Sequence, residues 1–251
     1  MPRYFLKLSF DGTNYHGWQA QDNAITVQAE IEKAISQLLQ EKIEITGAGR
    51  TDAGVHAREF YAHFDTSFSF DNETLNKTVY SLNAILPEDI SINTVIPVNS
   101  LAHARFSAIS RTYKYYISRN KNPFENKHSW CVHGNLNIKL MNAACEILYK
   151  HIDFTSFSKL HTDVNNNNCK IFLANWNEEN NILVFTITAN RFLRNMVRAI
   201  VGTLIDVGKS KITLDEFRTI IENKNRCDAG YSVPAKGLFL EKIDYPPEIF
   251  D

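Results

Sequence analysis

Between Thr46 and Ala57 the chain reads Thr-Gly-Ala-Gly-Arg-Thr-Asp-Ala-Gly-Val-His-Ala, with a β-like run at Ile43–Ile45 before it and an alternating run at Phe60–Phe64 after it. Two strands need only a short polar turn between them. This connection carries three glycines together with Arg50, Thr51, Asp52 and His56. Glycine accepts φ > 0 and lets another backbone or a ligand approach closely. A guanidinium and hydroxyl donors beside a carboxylate favour its ionised form, and a held carboxylate in such a loop is a candidate nucleophile or base. The Walker A pattern fails on spacing and on the absence of Lys, and G-x-G-x-x-G fails because its last position is Asp52. A tight hairpin whose Asp caps its turn is the competing reading.

Around this stretch lie basic tracks with aromatics. Arg105, Arg111, Lys114, Arg119 and Lys121 have no acid among them and enclose Phe106, Tyr113, Tyr115 and Tyr116; Arg191, Arg194 and Arg198 cluster further on. A solvated face is the ordinary meaning of such charge, but unpaired bases stack on such rings. The net charge of −1 argues against a protein that coats nucleic acid without selection and leaves room for a local track. With 251 residues, 44% hydrophobic and 22% charged, the chain is an ordinary globular protein of one large domain or two packed ones. There is no run of 18 apolar residues and no signal-peptide core after Met1, so no membrane span or export is expected. Cys131, Cys145, Cys169 and Cys227 form no C-x-x-C pair, which points to reduced thiols in a cytoplasm and away from a zinc site.

The elements that must position these groups follow from periodicity. Tyr4, Leu6, Leu8 and Phe10 alternate as a strand, and Thr26 caps a helix whose face is Val27, Ile31, Ala34, Ile35, Leu38 and Leu39. Strands flank the Asp52 loop. A helix on Leu75, Val79 and Leu82 stops at Pro87, and a strand runs from Ser91 to Val98. This β-α-β-β-α-β order is that of a ferredoxin-like unit. A second half begins with a strand at Thr112–Ser118 and a helix capped by Asn137. Asn165–Asn168 reads as an exposed, mobile loop. Strands at Lys170–Trp176 and Ile182–Thr188 flank a turn at Asn177–Asn181. A helix then opens at Asn190 and closes at Gly208, with Arg191, Asn195, Arg198 and Gly202 as a polar stripe. Last come a capping box at Thr213–Glu216 and a strand from Gly237 to Ile243. The expected architecture is α+β, with two ferredoxin-like (split βαβ) halves, 1–105 and 106–251, whose antiparallel sheets join around a central catalytic cleft.

Gly49–His56 resembles the signature of the tRNA pseudouridine synthase A family. So do, in order, Phe10–Gln19, His103–Ala108, Arg111–Tyr113, Asp153–Phe157, Asn195–Gly202 and Ala235–Leu238, so the resemblance spans nearly the whole chain. It departs at Arg58-Glu59-Phe60, where relatives have a Gly-Gln-Val-like strand start, and at Lys170, where they commonly have Arg. The resemblance implies a homodimeric cytoplasmic enzyme. It would isomerise uridine to pseudouridine in the tRNA anticodon stem-loop (positions 38–40) without cofactor or metal. It implies Asp52 as the catalytic carboxylate, Tyr113 as the stacking ring and Arg198 as the basic partner of Asp52. Arg50, Arg105, Arg111, Lys114 and Arg194 join Tyr113 as expected RNA-binding residues. The carboxylate can add to ribose C1′ or uracil C6, and the Tyr113 hydroxyl is a candidate for taking the C5 proton. His56 is expected to serve the turn and Trp18 the core. An RNA-binding module without activity would keep the basic track and Tyr113 but not need Asp52; a metal-dependent phosphate-ester hydrolase would need a spaced ligand cluster that the sequence lacks.

Overall fold

The computed structural model describes residues 1–159 and 166–250 and is of α+β class. It divides into two units, one made of Met1–Ile109 and the segment from Leu240 onward, the other of Ser110–Phe239. In the first unit, β1 (Arg3–Phe10) is flanked by antiparallel partners, β3 (His56–Asp65) with Leu8 opposite Phe60, and β4 (Ile90–Val98) with Leu6 opposite Val95. Tyr4, Leu6, Leu8 and Phe10 are buried on one face of β1. Phe5, on the other, meets Tyr245 and Phe250 edge-on, so both faces are covered. Helix α1 (Val27–Leu39) is capped by the Thr26 hydroxyl and buries Val27, Ile31, Ala34 and Ile35. Helix α2 (Asn72–Ile85) is capped by Asp71 and stops just before Pro87, as a residue preceding proline should.

The expected strand at Ile43–Ile45 does not form; its place is taken by the two-residue β2 (Thr46–Gly47), paired to β3. The cause lies in α1. Ser36 Oγ accepts the Ile43 N–H at 2.9 Å, Glu32 accepts the Ile45 N–H at 2.9 Å, and Gln28 donates to the Ile45 carbonyl at 3.1 Å. Helix side chains thus satisfy the backbone groups a strand partner would have taken.

In the second unit, β5 (Ser110–Ser118) pairs antiparallel with β8 (Ile182–Ala189), which pairs antiparallel with β7 (Ile171–Glu179). The expected all-antiparallel sheet is corrected by β6 (Trp130–Cys131), reached by the long 119–129 excursion and parallel to β5. The β7–β8 turn is tighter than expected. Asn177 stays in the strand, and only Asn180 and Asn181, at φ 50° and 65°, make the connection that a primed hairpin requires. Of the asparagine run, Asn165 lies outside the described residues. Asn167 and Asn168 are tied down, the first by its carbonyl to Phe154 N–H (3.0 Å) and its amide to Thr155 (2.9 Å), the second by a bridge to Asp153.

Helix α3 (Ile138–Leu148) starts at Asn137 as expected. Helix α4 (Met196–Gly208) starts six residues later than expected, because Asn190 is used elsewhere: its Oδ1 accepts the Lys170 and Arg191 N–H groups at 2.7 and 2.9 Å. Arg191 therefore leaves the helical polar stripe. Asn195, at φ 66°, is only the N-cap. Helix α5 (Leu214–Glu222) carries the full capping box of Thr213 and Glu216, and β9 (Leu238–Asp244) closes the fold.

Each unit also protects an edge strand in the same way. Asn83 of α2 donates to and accepts from the backbone of Ile92 in β4 (2.8 and 2.7 Å). Asn142 of α3 does the same with Trp176 in β7 (3.1 and 2.7 Å). A side-chain amide imitating a neighbouring strand satisfies groups that would otherwise invite edge pairing.

Candidate active site

In the first unit, Asp52 sits in an irregular loop between β2 and β3 and is half-buried; Arg50, two residues before it, is exposed. Its backbone carbonyl accepts the Val55 N–H at 3.2 Å, closing a turn in which Gly54 takes φ 76°. The loop is held from behind by residues 11–17. A Cβ on Gly17, at φ 93°, would lie 2.3 Å from the Thr51 carbonyl oxygen, and a Cβ on Gly12 would lie 2.0 Å from that of Val55. Both glycines are therefore required by backbone-to-backbone approach. The Gly54 N–H donates to the Tyr15 carbonyl at 3.3 Å. Nδ1 of His56, 1% exposed, lies 2.9 Å from Asp11 Oδ1 and 3.1 Å from the Gly12 nitrogen, which makes His56 a fastening of this clamp. Trp18, also buried, stacks on Phe60 at 4.1 Å, so it belongs to the core that carries the loop. Beside Asp52, the Thr51 Oγ1 is buried with no hydrogen-bond partner among the described residues.

Arg105 lies in a separate loop of this unit with its guanidinium 5.5 Å from the centre of the exposed Phe106 ring. That loop is shaped by His103, whose Nδ1 accepts the Arg105 and Phe106 N–H groups at 3.1 and 3.3 Å. Burial pushes the His63 imidazole, packed edge-on against His103 at 4.6 Å, down to about 4, aided by the Arg3 guanidinium; its Nδ1 accepts the Ala104 N–H at 3.2 Å.

In the second unit, Tyr113 is half-buried on β5 opposite Ile187 and meets Phe192 edge-on at 5.1 Å. The late start of α4 is what frees Phe192 to do this. Tyr115 and Ile117 continue the same face into the core, while Lys114 and Tyr116 lie on the other. Burial drives the Tyr115 hydroxyl far above its ordinary range, with the Arg198 guanidinium pulling against it; the hydroxyl donates to the Pro234 carbonyl at 2.8 Å. Arg198, in the first turn of α4, donates Nε–H to the Val233 carbonyl at 2.7 Å, and its own carbonyl accepts the Val233 N–H at 3.3 Å. Residues 230–234 are thereby strapped across α4. The strap needs Gly202, whose Cβ would lie 2.0 Å from the Tyr231 carbonyl oxygen, and is pinned again by Gly230 N–H to Thr203 Oγ1 at 2.9 Å. Arg111 donates to the Asn190 carbonyl at 3.0 Å, and Arg194 is exposed. Asp52 and Arg50 thus belong to the first unit, and Tyr113, Arg198 and Arg111 to the second, where each is held by its own partner: Phe192, the Val233 carbonyl and the Asn190 carbonyl. The 230–234 strap and the role of Tyr15 were not read from the sequence, because each depends on backbone groups far away along the chain.

Matches with known proteins add identity to this geometry. The family model described as tRNA pseudouridine synthase matches residues 8–107 and 145–246. The chain is 52% identical to a protein named tRNA pseudouridine synthase A from Parabacteroides distasonis, over 100% of this chain and 98% of that one. It is 52% identical to a relative of the same name from Bacteroides fragilis (99% and 98% covered), and 49% identical to one from Porphyromonas gingivalis (100% of each). The chain belongs to the tRNA pseudouridine synthase family and is an isomerase that acts on tRNA.

Proposed function

We propose that the enzyme isomerises uridine at positions 38–40 of the tRNA anticodon stem-loop, with Asp52 as the nucleophile. The supporting observation is the clamp on the Asp52 loop: two close backbone approaches at Gly12 and Gly17 fix the main chain on either side of the carboxylate. Such pre-positioning is what a nucleophile needs, since a correctly held group converts an encounter into an intramolecular attack. The reaction breaks the N1–C1′ bond, turns the uracil and forms C5–C1′, with the C5 hydrogen leaving as a proton. A carboxylate can open either route, by adding to C1′ or to C6.

The target base must leave the stem to react. Tyr113, on a strand face that ends in the core, supplies the ring for it to lie on, and Arg198 supplies positive charge to the reacting carboxylate. Arg50, Arg105, Arg111, Lys114 and Arg194 contact the phosphates that position the stem-loop. The enzyme works as a cytoplasmic homodimer without cofactor or metal, and the element orders of the two units support reading each as a ferredoxin-like module. Release of tritium from 5-tritiated uridine in tRNA tests this directly. Release is expected to persist in chelator and to vanish when positions 38–40 carry cytidine. Release that survives those replacements would contradict the assigned site, and loss in chelator would contradict metal-free chemistry.

A further inference from the structure

The clamp behind Asp52 is itself anchored from a third place. Tyr15, 5% exposed, has its N–H on the Gly12 carbonyl at 3.0 Å and makes two further bonds that link distant segments. Its carbonyl receives the Gly54 N–H, and its hydroxyl donates to the carboxylate of Asp89, in the turn that precedes β4. Asp89 also receives the Asn14 amide at 3.2 Å on its other carboxylate oxygen, and its backbone carbonyl accepts the Asp11 N–H at 2.9 Å. One residue thus gathers three points of the 11–15 segment, and that segment carries Gly12 and leads to Gly17. Burial and the Asp89 contact raise the Tyr15 hydroxyl above its ordinary range, so it stays a donor into the alkaline range.

We infer that Asp89 is a positioning residue for the reaction, acting through the buried Tyr15 hydroxyl to hold the Gly54 turn and with it the Asp52 carboxylate. Asp89 touches no reacting atom. Without it, the Tyr15 ring keeps its packing but loses the bond that fixes its backbone height, and the Gly54 N–H follows. A displacement approaching 1 Å at a reacting group can cost about a hundredfold in rate; through an intermediate residue we expect roughly tenfold.

The inference rests on Asp52 being the reacting carboxylate, and the test separates the two. Single-turnover rates and tRNA dissociation constants are measured for Tyr15→Phe, Asp89→Ala, the double variant and Asp52→Asn, with Phe64→Leu as a core change at the far end of β3. Alanine is used at position 89 because an asparagine oxygen would still accept the Tyr15 hydroxyl. At unchanged tRNA affinity, we expect about a tenfold loss of rate in Tyr15→Phe and at least that in Asp89→Ala, which also releases the Asn14 amide. We expect no loss in the double variant beyond that of Asp89→Ala, because the Tyr15 hydroxyl acts only through Asp89, and a wild-type rate in folded Phe64→Leu. Wild-type rates in Tyr15→Phe and Asp89→Ala, with Asp52→Asn inert, overturn the inference alone, as do losses that multiply in the double variant or that Phe64→Leu matches. Should Asp89→Ala not fold, Tyr15→Phe decides by the same criteria. Activity in Asp52→Asn overturns the nucleophile reading and this inference with it.

Discussion

Replacing Gly17 by Ala perturbs the Asp52 loop without touching a polar side chain. At φ 93° a side chain costs about 1–3 kcal/mol in backbone strain. The added Cβ would also stand 2.3 Å from the Thr51 carbonyl oxygen, so that oxygen must retreat by roughly 1 Å to reach ordinary van der Waals distance. Thr51 directly precedes Asp52; with Asp52 as the proposed nucleophile, a shift of that size is expected to lower the rate by about a hundredfold. Gly49, only three residues before Asp52, has nothing near its Cβ position and an unremarkable φ. Gly49→Ala is therefore expected to leave stability unchanged or raise it by about 0.4–1 kcal/mol. Urea unfolding of both variants, followed by single-turnover tritium release from bound tRNA by folded Gly17→Ala, reads both effects. A wild-type rate in Gly17→Ala, or equal destabilisation by the two substitutions, would refute the clamp.

Three further predictions follow from the same geometry. Tyr113→Ala is expected to weaken engagement of the target uridine by about 1–3 kcal/mol, while Tyr113→Phe retains much of the activity if the hydroxyl only orients the base; stem-loop single-turnover kinetics distinguish them, and wild-type kinetics in Tyr113→Ala would remove the residue from the site. Arg198→Ala is expected to slow the chemical step about a hundredfold with a smaller change in tRNA affinity, and Arg198→Lys not to restore it, because lysine has no Nε branch to hold the Val233 carbonyl while presenting its charge; full activity in the lysine variant would show that this bond is dispensable. His63, neutral in the fold and down to about 4 against an ordinary 6.5, binds its proton more readily when unfolded. Stability is thus intact above pH 6.5 and lost as pH falls toward 4, by about 1–3 kcal/mol after allowing for solvent screening; urea titrations at both ends of that window should show a smaller loss in His63→Gln.

Much of the fold was readable because its determinants are local. Thr26, Asn137 and Thr213 each cap a helix with their own side chain, and the alternation of Tyr4, Leu6, Leu8 and Phe10 makes β1 visible from spacing alone. The misreadings occur where a distant partner takes over a local signal. Ile43–Ile45 alternates like a strand, yet three α1 side chains take its backbone groups. Asn190 has the composition of an N-cap, yet its side chain ties off the end of the β7–β8 hairpin. At the site, the close approaches of Gly12 and Gly17 were not legible, since nothing in the local sequence says that Thr51 and Val55 stand behind them. Asp89 carried no signal at all: it looks like an ordinary turn residue after Pro87 until Tyr15 is seen to reach it.

Whether a clamped Asp52 performs the nucleophilic step is read from Asp52→Asn. The amide keeps size and shape, so the loop, the fold and the phosphate contacts should persist while the nucleophile is gone. Single-turnover tritium release from saturating 5-tritiated tRNA, together with the tRNA dissociation constant, is the measurement. Wild-type affinity and a rate below about one-thousandth of wild type are expected; a rate above that level, with affinity intact, would rule out Asp52 as the nucleophile.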